Sequence, residues 1–130
     1  MKLIVQPKNS SLCGHSSIAM VAGITLEESI SIFGHEAPSY LKDYKRVLAE
    51  LNIEHGEKTS VDNRKKYAIP DKALVRMQIR GRKTGHLTVH YKGRFYDPAD
   101  RIYDSKEEFI NSYKESNKNW RIDWYMEIKT

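Results

Sequence analysis

The hydrophobic period of this chain changes once, just past Leu51, and that change constrains its fold class more than any other feature. Up to Leu51 the apolar residues recur at helical spacing. Ile18, Ala19, Val21 and Ala22 make the apolar stripe of a helix predicted over 13–23, with Ser10 and Ser11 as candidate caps and Gly23 as its stop. Thr25 and Glu28 form a capping-box pair ahead of Leu26, Ile30 and Phe33, and Gly34 ends that second helix. A third helix is predicted over 39–51, with Leu41, Tyr44, Val47, Leu48 and Leu51 on one face.

Beyond this point the period becomes two. A short strand is predicted over 53–57, a polar loop over 62–66 and a break at Pro70. Over 73–79, Val75, Met77 and Ile79 alternate with Arg76, Gln78 and Arg80 as in a strand. His86 to Tyr91 and Arg94 to Asp97 read as a hairpin closed by Lys92-Gly93, where glycine supplies positive φ. Ser105 and Glu108 repeat the capping-box pattern at the head of a helix running to about 116. Trp120, Ile122, Trp124, Met126 and Ile128 alternate with polar or amphipathic residues, as in a half-buried antiparallel strand. Helices first and strands later predict an α+β fold, with N-terminal helices packed against a small antiparallel sheet.

A length of 130 residues fits one domain over 1–130, and no repeat, low-complexity tract or linker divides it. The 39% apolar and 30% charged residues are a globular balance, not a disordered one. No apolar run approaches the roughly 20 residues of a membrane span. The stretch from Met1 to Pro7 lacks the apolar run of a signal peptide, so the expected compartment is the cytoplasm. The net charge is +5, and nine cations lie between Lys58 and Lys83 against Asp62 and Asp71 alone. Such a stretch is either a solvated face or a surface for nucleic acid, an anionic membrane or an acidic protein.

With one cysteine, the chain has no intramolecular disulfide and no multi-cysteine metal site. Cys13 opens the first predicted helix, where first-turn amides and the helix dipole favour a thiolate over a thiol. Gly14 then leaves room beside the sulfur for a substrate carbonyl. Gln6, seven residues upstream, offers an amide donor for an oxyanion, with the Cys13 backbone amide as the second. The competing reading of a lone cysteine is a small core residue.

Five histidines are candidates for its base. His15, two residues along the same helix, points to a different face from Cys13. His35 reads as a helix-end cap and His55 as a surface residue. The hairpin singles out the other two. If Lys92-Gly93 is a two-residue turn, then Tyr91 pairs with Arg94, and His86, Thr88, His90, Phe95 and Asp97 share one face. Asp97 is then diagonal to both His86 and His90 and can orient either imidazole. Spacing does not choose between them.

Two blocks of sequence resemble a known family. Gln6, the run from Cys13 to Met20 (Cys-Gly-His-Ser-Ser-Ile-Ala-Met) and the run from Gly23 to Glu27 resemble the nucleophile region of bacteriocin-processing, double-glycine-leader peptidase-like proteins. These are a branch of the papain-like cysteine peptidases. The run from Gly85 to Ala99 resembles that branch's Gly-His block ending in Asp-Pro. The resemblance implies a papain-like fold, with Cys13 as nucleophile, His86 as base and acid, Asp97 as its orienting carboxylate and Gln6 in the oxyanion hole. His90 would be a contact further along the strand. His15 departs from the small residue, Pro or Gln that often follows Cys-Gly in the family, and the chain has no transporter segment.

The implied chemistry is acyl transfer from an amide through a thioester, without metal or organic cofactor. Its expected substrate is a protein or peptide, with the basic stretch favouring an acidic one. Deamidation and acyl transfer use the same machinery. A basic module that binds nucleic acid or an acidic protein, with an incidental cysteine, is the reading from a different class.

Overall fold

A computed structural model describes residues 1–83 and 85–130. Three helices come first: α1 (Cys13–Ala22), α2 (Leu26–Phe33) and α3 (Leu41–Glu50). Then follow β1 (Thr59–Ser60), β2 (Lys72–Ile79), β3 (Gly85–Tyr91), β4 (Arg94–Asp97), β5 (Arg101–Tyr103), α4 (Lys106–Ser116) and β6 (Trp120–Glu127). The six strands form one sheet in the order β1-β6-β2-β3-β4-β5, and every pairing is antiparallel. The class is α+β, as the change of period predicts.

Local sequence chemistry sets most boundaries. Thr25 Oγ1 accepts the Glu28 amide at 3.1 Å and Glu28 Oε1 accepts the Thr25 amide at 3.1 Å, completing the capping box. Gly23 and Gly34 end their helices at φ 69° and 79°, which glycine adopts without strain. Three boundary expectations are corrected. Neither Ser10 nor Ser11 caps α1; Leu12 holds that position, and the Ser10 hydroxyl donates to the Pro7 carbonyl instead. The stretch 53–57 makes only an isolated bridge, His55 to Ile128. At α4, Ser105 accepts the Glu108 amide, but the Glu108 carboxylate pairs with Arg101.

The sheet has helices on both faces, not on one. Ile18, Val21, Phe33, Tyr44, Val47 and Leu48 of α1–α3 pack on Leu74, Leu87, Val89, Trp124 and Met126. On the other face Phe109 of α4 packs on Ala73, Val75, Met77, Phe95 and Ile122. The strand β6 serves both cores although its apolar residues share one parity. Arg76 pairs with Trp124 and Met77 with Ile122, so Asp123 is an extra residue. This bulge turns Ile122 toward α4 and Trp124 toward α1–α3.

Among the described residues, no single helix is long and apolar enough to cross a membrane. The basic stretch does not form one face. Arg64, Lys65 and Lys66 lie in the loop after β1, Lys72 reaches Thr130, and Arg76 is half-buried on the sheet.

Gly14 proves to be a packing residue. A Cβ there would meet Tyr44 Cε1 at 2.7 Å and the Tyr44 hydroxyl at 2.9 Å, as well as the Ser39 hydroxyl. The absent side chain makes room for α3, not for a substrate. Gly14→Ala therefore forces the α1–α3 contact apart, and urea unfolding should show a loss of about 1–3 kcal/mol. An unchanged midpoint would refute this packing role.

Candidate active site

Cys13 is the first helical residue of α1, so its own amide has no intrahelical acceptor. What brings it to the hairpin is the incomplete ladder of β3. That strand pairs with β2 from Gly85 to Tyr91, but with β4 only from Val89 to Tyr91. The peptide of Leu87 is left open on its β4 side, and α1 takes it. Ser17 Oγ, one helical turn after Cys13, donates to the Leu87 carbonyl at 3.2 Å, and the Leu87 amide lies close enough to the Cys13 sulfur to lower its pKa.

The turn Lys92-Gly93 has φ of 49° and 84°, the two-residue geometry the sequence requires. Tyr91 pairs with Arg94, His90 with Phe95 and Val89 with Tyr96. His86 and Asp97 consequently meet: His86 Nε2 donates to Asp97 Oδ1 at 2.7 Å. With Nε2 committed, Nδ1 is the ring nitrogen available to the Cys13 sulfur.

His90 has a different partner. It is buried, its Nδ1 donates to the Pro70 carbonyl at 2.8 Å, and its ring lies 5.0 Å from Phe95. It is not paired with Asp97. His15 is fully buried and donates through Nε2 to the His35 carbonyl at 2.8 Å, while its ring packs on Phe33 at 4.0 Å. Burial holds its pKa below the ordinary histidine value, so it ties α1 to the chain after α2 as a neutral ring.

Asp97 is 1% exposed, and three donors satisfy it. Besides His86, the Ala99 amide reaches Oδ1 at 2.9 Å, and the Tyr113 hydroxyl reaches Oδ2 at 2.6 Å. Burial pushes its pKa up, but the hydrogen bond and charge of His86, then Tyr113 and the Ala99 amide, bring it below the usual carboxylate range. Tyr113 also stacks on the His86 ring at 6.0 Å. Sequence reasoning misses this residue. Its only signal is its place four residues after Phe109 on the apolar stripe of α4, which marks it as core without aiming it at His86.

The thiol and imidazole move in opposite directions. Burial raises the Cys13 pKa, but the His86 hydrogen bond and charge, the Leu87 amide and the Arg76 charge lower it further, and the net change is downward. Burial lowers the His86 pKa, but Asp97 and Cys13 raise it more, to about 9. The opposed shifts favour a thiolate–imidazolium pair over a neutral thiol and imidazole. Arg76 contributes from β2, with its guanidinium lying across Gly85, where a Cβ would collide with it. Gly85 is thus the residue that lets Arg76 approach.

Gln6 and His86 line one shallow cleft of about 280 Å³ with Asn9 and Ala99, and the Gln6 amide donates to the Pro98 carbonyl at 2.8 Å. The side chain is engaged by Ser10, however: Nε2 donates to the Ser10 carbonyl at 3.1 Å and to Ser10 Oγ at 3.3 Å. As an oxyanion donor, Gln6 must exchange Ser10 for the substrate. Among the described residues no group of three His, Cys, Asp or Glu is placed to hold a metal ion. No protein-family model matches this sequence, and no curated protein matches it.

The opposed pKa values predict a pH profile for alkylation of Cys13 by iodoacetamide. The reaction follows the thiolate, so the rate rises through a Cys13 pKa lower than that of an ordinary thiol. His86→Ala removes the counter-charge and returns the thiol toward its ordinary pKa, slowing the rate below that pKa about tenfold or more. Asp97→Asn lowers the His86 pKa from about 9 and moves the profile in the same direction by less. Identical profiles in all three proteins would refute the ion pair.

Proposed function

We propose that this protein is a papain-like cysteine peptidase that hydrolyses an amide bond of a protein or peptide. The observation that carries the reading is the 2.7 Å bond from His86 Nε2 to the buried Asp97, on an imidazole close enough to a cysteine at a helix N-terminus to lower its pKa. The two blocks of family resemblance converge on these same three residues.

The Cys13 thiolate attacks the carbonyl carbon, and the carbonyl oxygen becomes an oxyanion held by the Cys13 amide. The His86 imidazolium gives its proton to the departing nitrogen, the C–N bond breaks, and an amine leaves. A thioester remains on Cys13. Neutral His86 then takes a proton from water, which attacks the thioester, and the carboxylic acid departs as the thiolate returns. Asp97 keeps one tautomer and one ring orientation throughout, and Tyr113 holds Asp97.

Two measurements test this. Incubation of a complex peptide mixture, followed by labelling of new amino termini, should reveal cleavage by wild type and none by Cys13→Ala. A peptide electrophile should add covalently to Cys13 alone, and His86→Ala should suppress the adduct. Cleavage that persists in Cys13→Ala, or its absence from wild type across varied substrates, would overturn the reading.

Gln6 makes a sharper case. Gln6→Ala should reduce kcat/KM about 100-fold, as loss of one oxyanion donor does elsewhere, and leave iodoacetamide alkylation unchanged. Equal cleavage rates would leave Gln6 bound to Ser10 as a structural residue.

A further inference from the structure

We infer that the basic groove between α4 and the loop after β1 docks an acidic segment of the polypeptide substrate. The inference rests on the peptidase reading and names the kind of substrate. The groove consists of two adjoining cavities of about 570 and 440 Å³, which share Asn63, Arg64, Lys114 and Arg121. Eight cations converge on it from separate parts of the chain: Arg64, Lys65, Lys66, Arg80, Lys106, Lys114, Lys118 and Arg121. Asp62 and Asp123 line the first cavity and no carboxylate lines the second. Asp62 is already paired with Arg64 at 3.0 Å. Among the described residues, no carboxylate pairs with the other seven cations. Like charges gathered in a concave site focus a positive potential, and Asp62 and Asp123 offset only part of it.

The aromatic residues of the groove favour a polypeptide over nucleic acid. Single-stranded nucleic acid needs open ring faces for its bases. The Tyr67 face carries the Lys106 ammonium at 4.2 Å, and Trp120 is packed edge-to-face on Tyr113 at 5.1 Å. Carboxylates need only the ammonium and guanidinium groups.

Position links the groove to the chemistry. Gln78 of β2 pairs with Gly85 on one side and with Arg121 on the other. The groove wall and the strand end bearing His86 are therefore two strand spacings apart, about 10 Å from backbone to backbone. Roughly three or four extended residues span that distance. The substrate so defined carries a run of Asp or Glu a few residues from the amide that Cys13 attacks.

Fluorescence anisotropy with labelled hexaglutamate on the Cys13→Ala protein tests the groove without turnover. Saturable binding is expected, weakening steeply between about 50 and 200 mM NaCl. Lys114→Glu with Arg121→Glu should weaken it at least about tenfold, and the exposed pair Lys114→Gln with Lys118→Gln should do so less, in case the reversal fails to fold. Charge reversal of Lys42 and Lys45 on α3 should change nothing. Absence of binding, equal binding by the groove variants, or displacement of the peptide by a tighter-binding short oligothymidylate would overturn the inference. Iodoacetamide kinetics separate the two readings: fast alkylation without hexaglutamate binding removes the groove alone. Hexaglutamate binding with an ordinary thiol leaves the groove an acidic-polypeptide site and removes the peptidase.

Discussion

The whole site depends on the peptide of Leu87 being left without a strand partner. Had β4 paired with β3 along its full length, its backbone would occupy the place where α1 begins. The ladder stops at Val89 because the chain turns away after Asp97, at Pro98, which has no N–H to donate to a ladder. The open carbonyl of Leu87 then takes Ser17 of the helix as its partner, and the open amide faces the Cys13 sulfur. Secondary-structure accounting and the placement of Cys13 are here the same event.

Electrostatics alone would not make a thiolate at Cys13, since burial opposes charge there. The charge is supported by a chain of contacts. Tyr113 and the Ala99 amide hold Asp97 ionised, Asp97 holds the proton on His86, and His86 holds the charge on sulfur. Each link is buried or nearly so, and coupling is strong where water is excluded. The α4 helix therefore matters to the chemistry as well as to the second core. Phe109 seats it against Phe95 at 4.4 Å, and Tyr113, one turn on, reaches the carboxylate.

The part of this site that follows from counting is legible in the sequence. A two-residue turn at Lys92-Gly93 fixes every side-chain face in the hairpin, so Asp97 and the histidines have to share one. The choice of His86 over His90 is not legible from spacing, because it turns on Pro70, a residue in a different loop whose carbonyl occupies His90. The role of Gly14 is hidden for a similar reason: nothing local reveals that Tyr44 and Ser39 fill the space beside it. In β6 a strict alternation conceals a change of face, since a one-residue bulge leaves the sequence pattern intact while reversing what it packs against. The basic stretch is only half legible: Arg64, Lys65, Lys66 and Arg80 do gather at one groove, together with cations of α4 and β6, while Lys72 and Arg76 lie elsewhere on the fold.

The two cores explain why Cys13, His86, Asp97 and Tyr113 meet at an end of the sheet. Cys13 belongs to the layer of α1–α3, whereas His86, Asp97 and Tyr113 belong to the layer of α4. A sheet packed on both faces separates such layers, and side chains cannot touch through it. They meet only where a strand begins, and His86 is the second residue of β3. Gly85, immediately before it, carries no side chain, and the guanidinium of Arg76 lies across it on the α1 side. The site is therefore built from the margins of two packed layers.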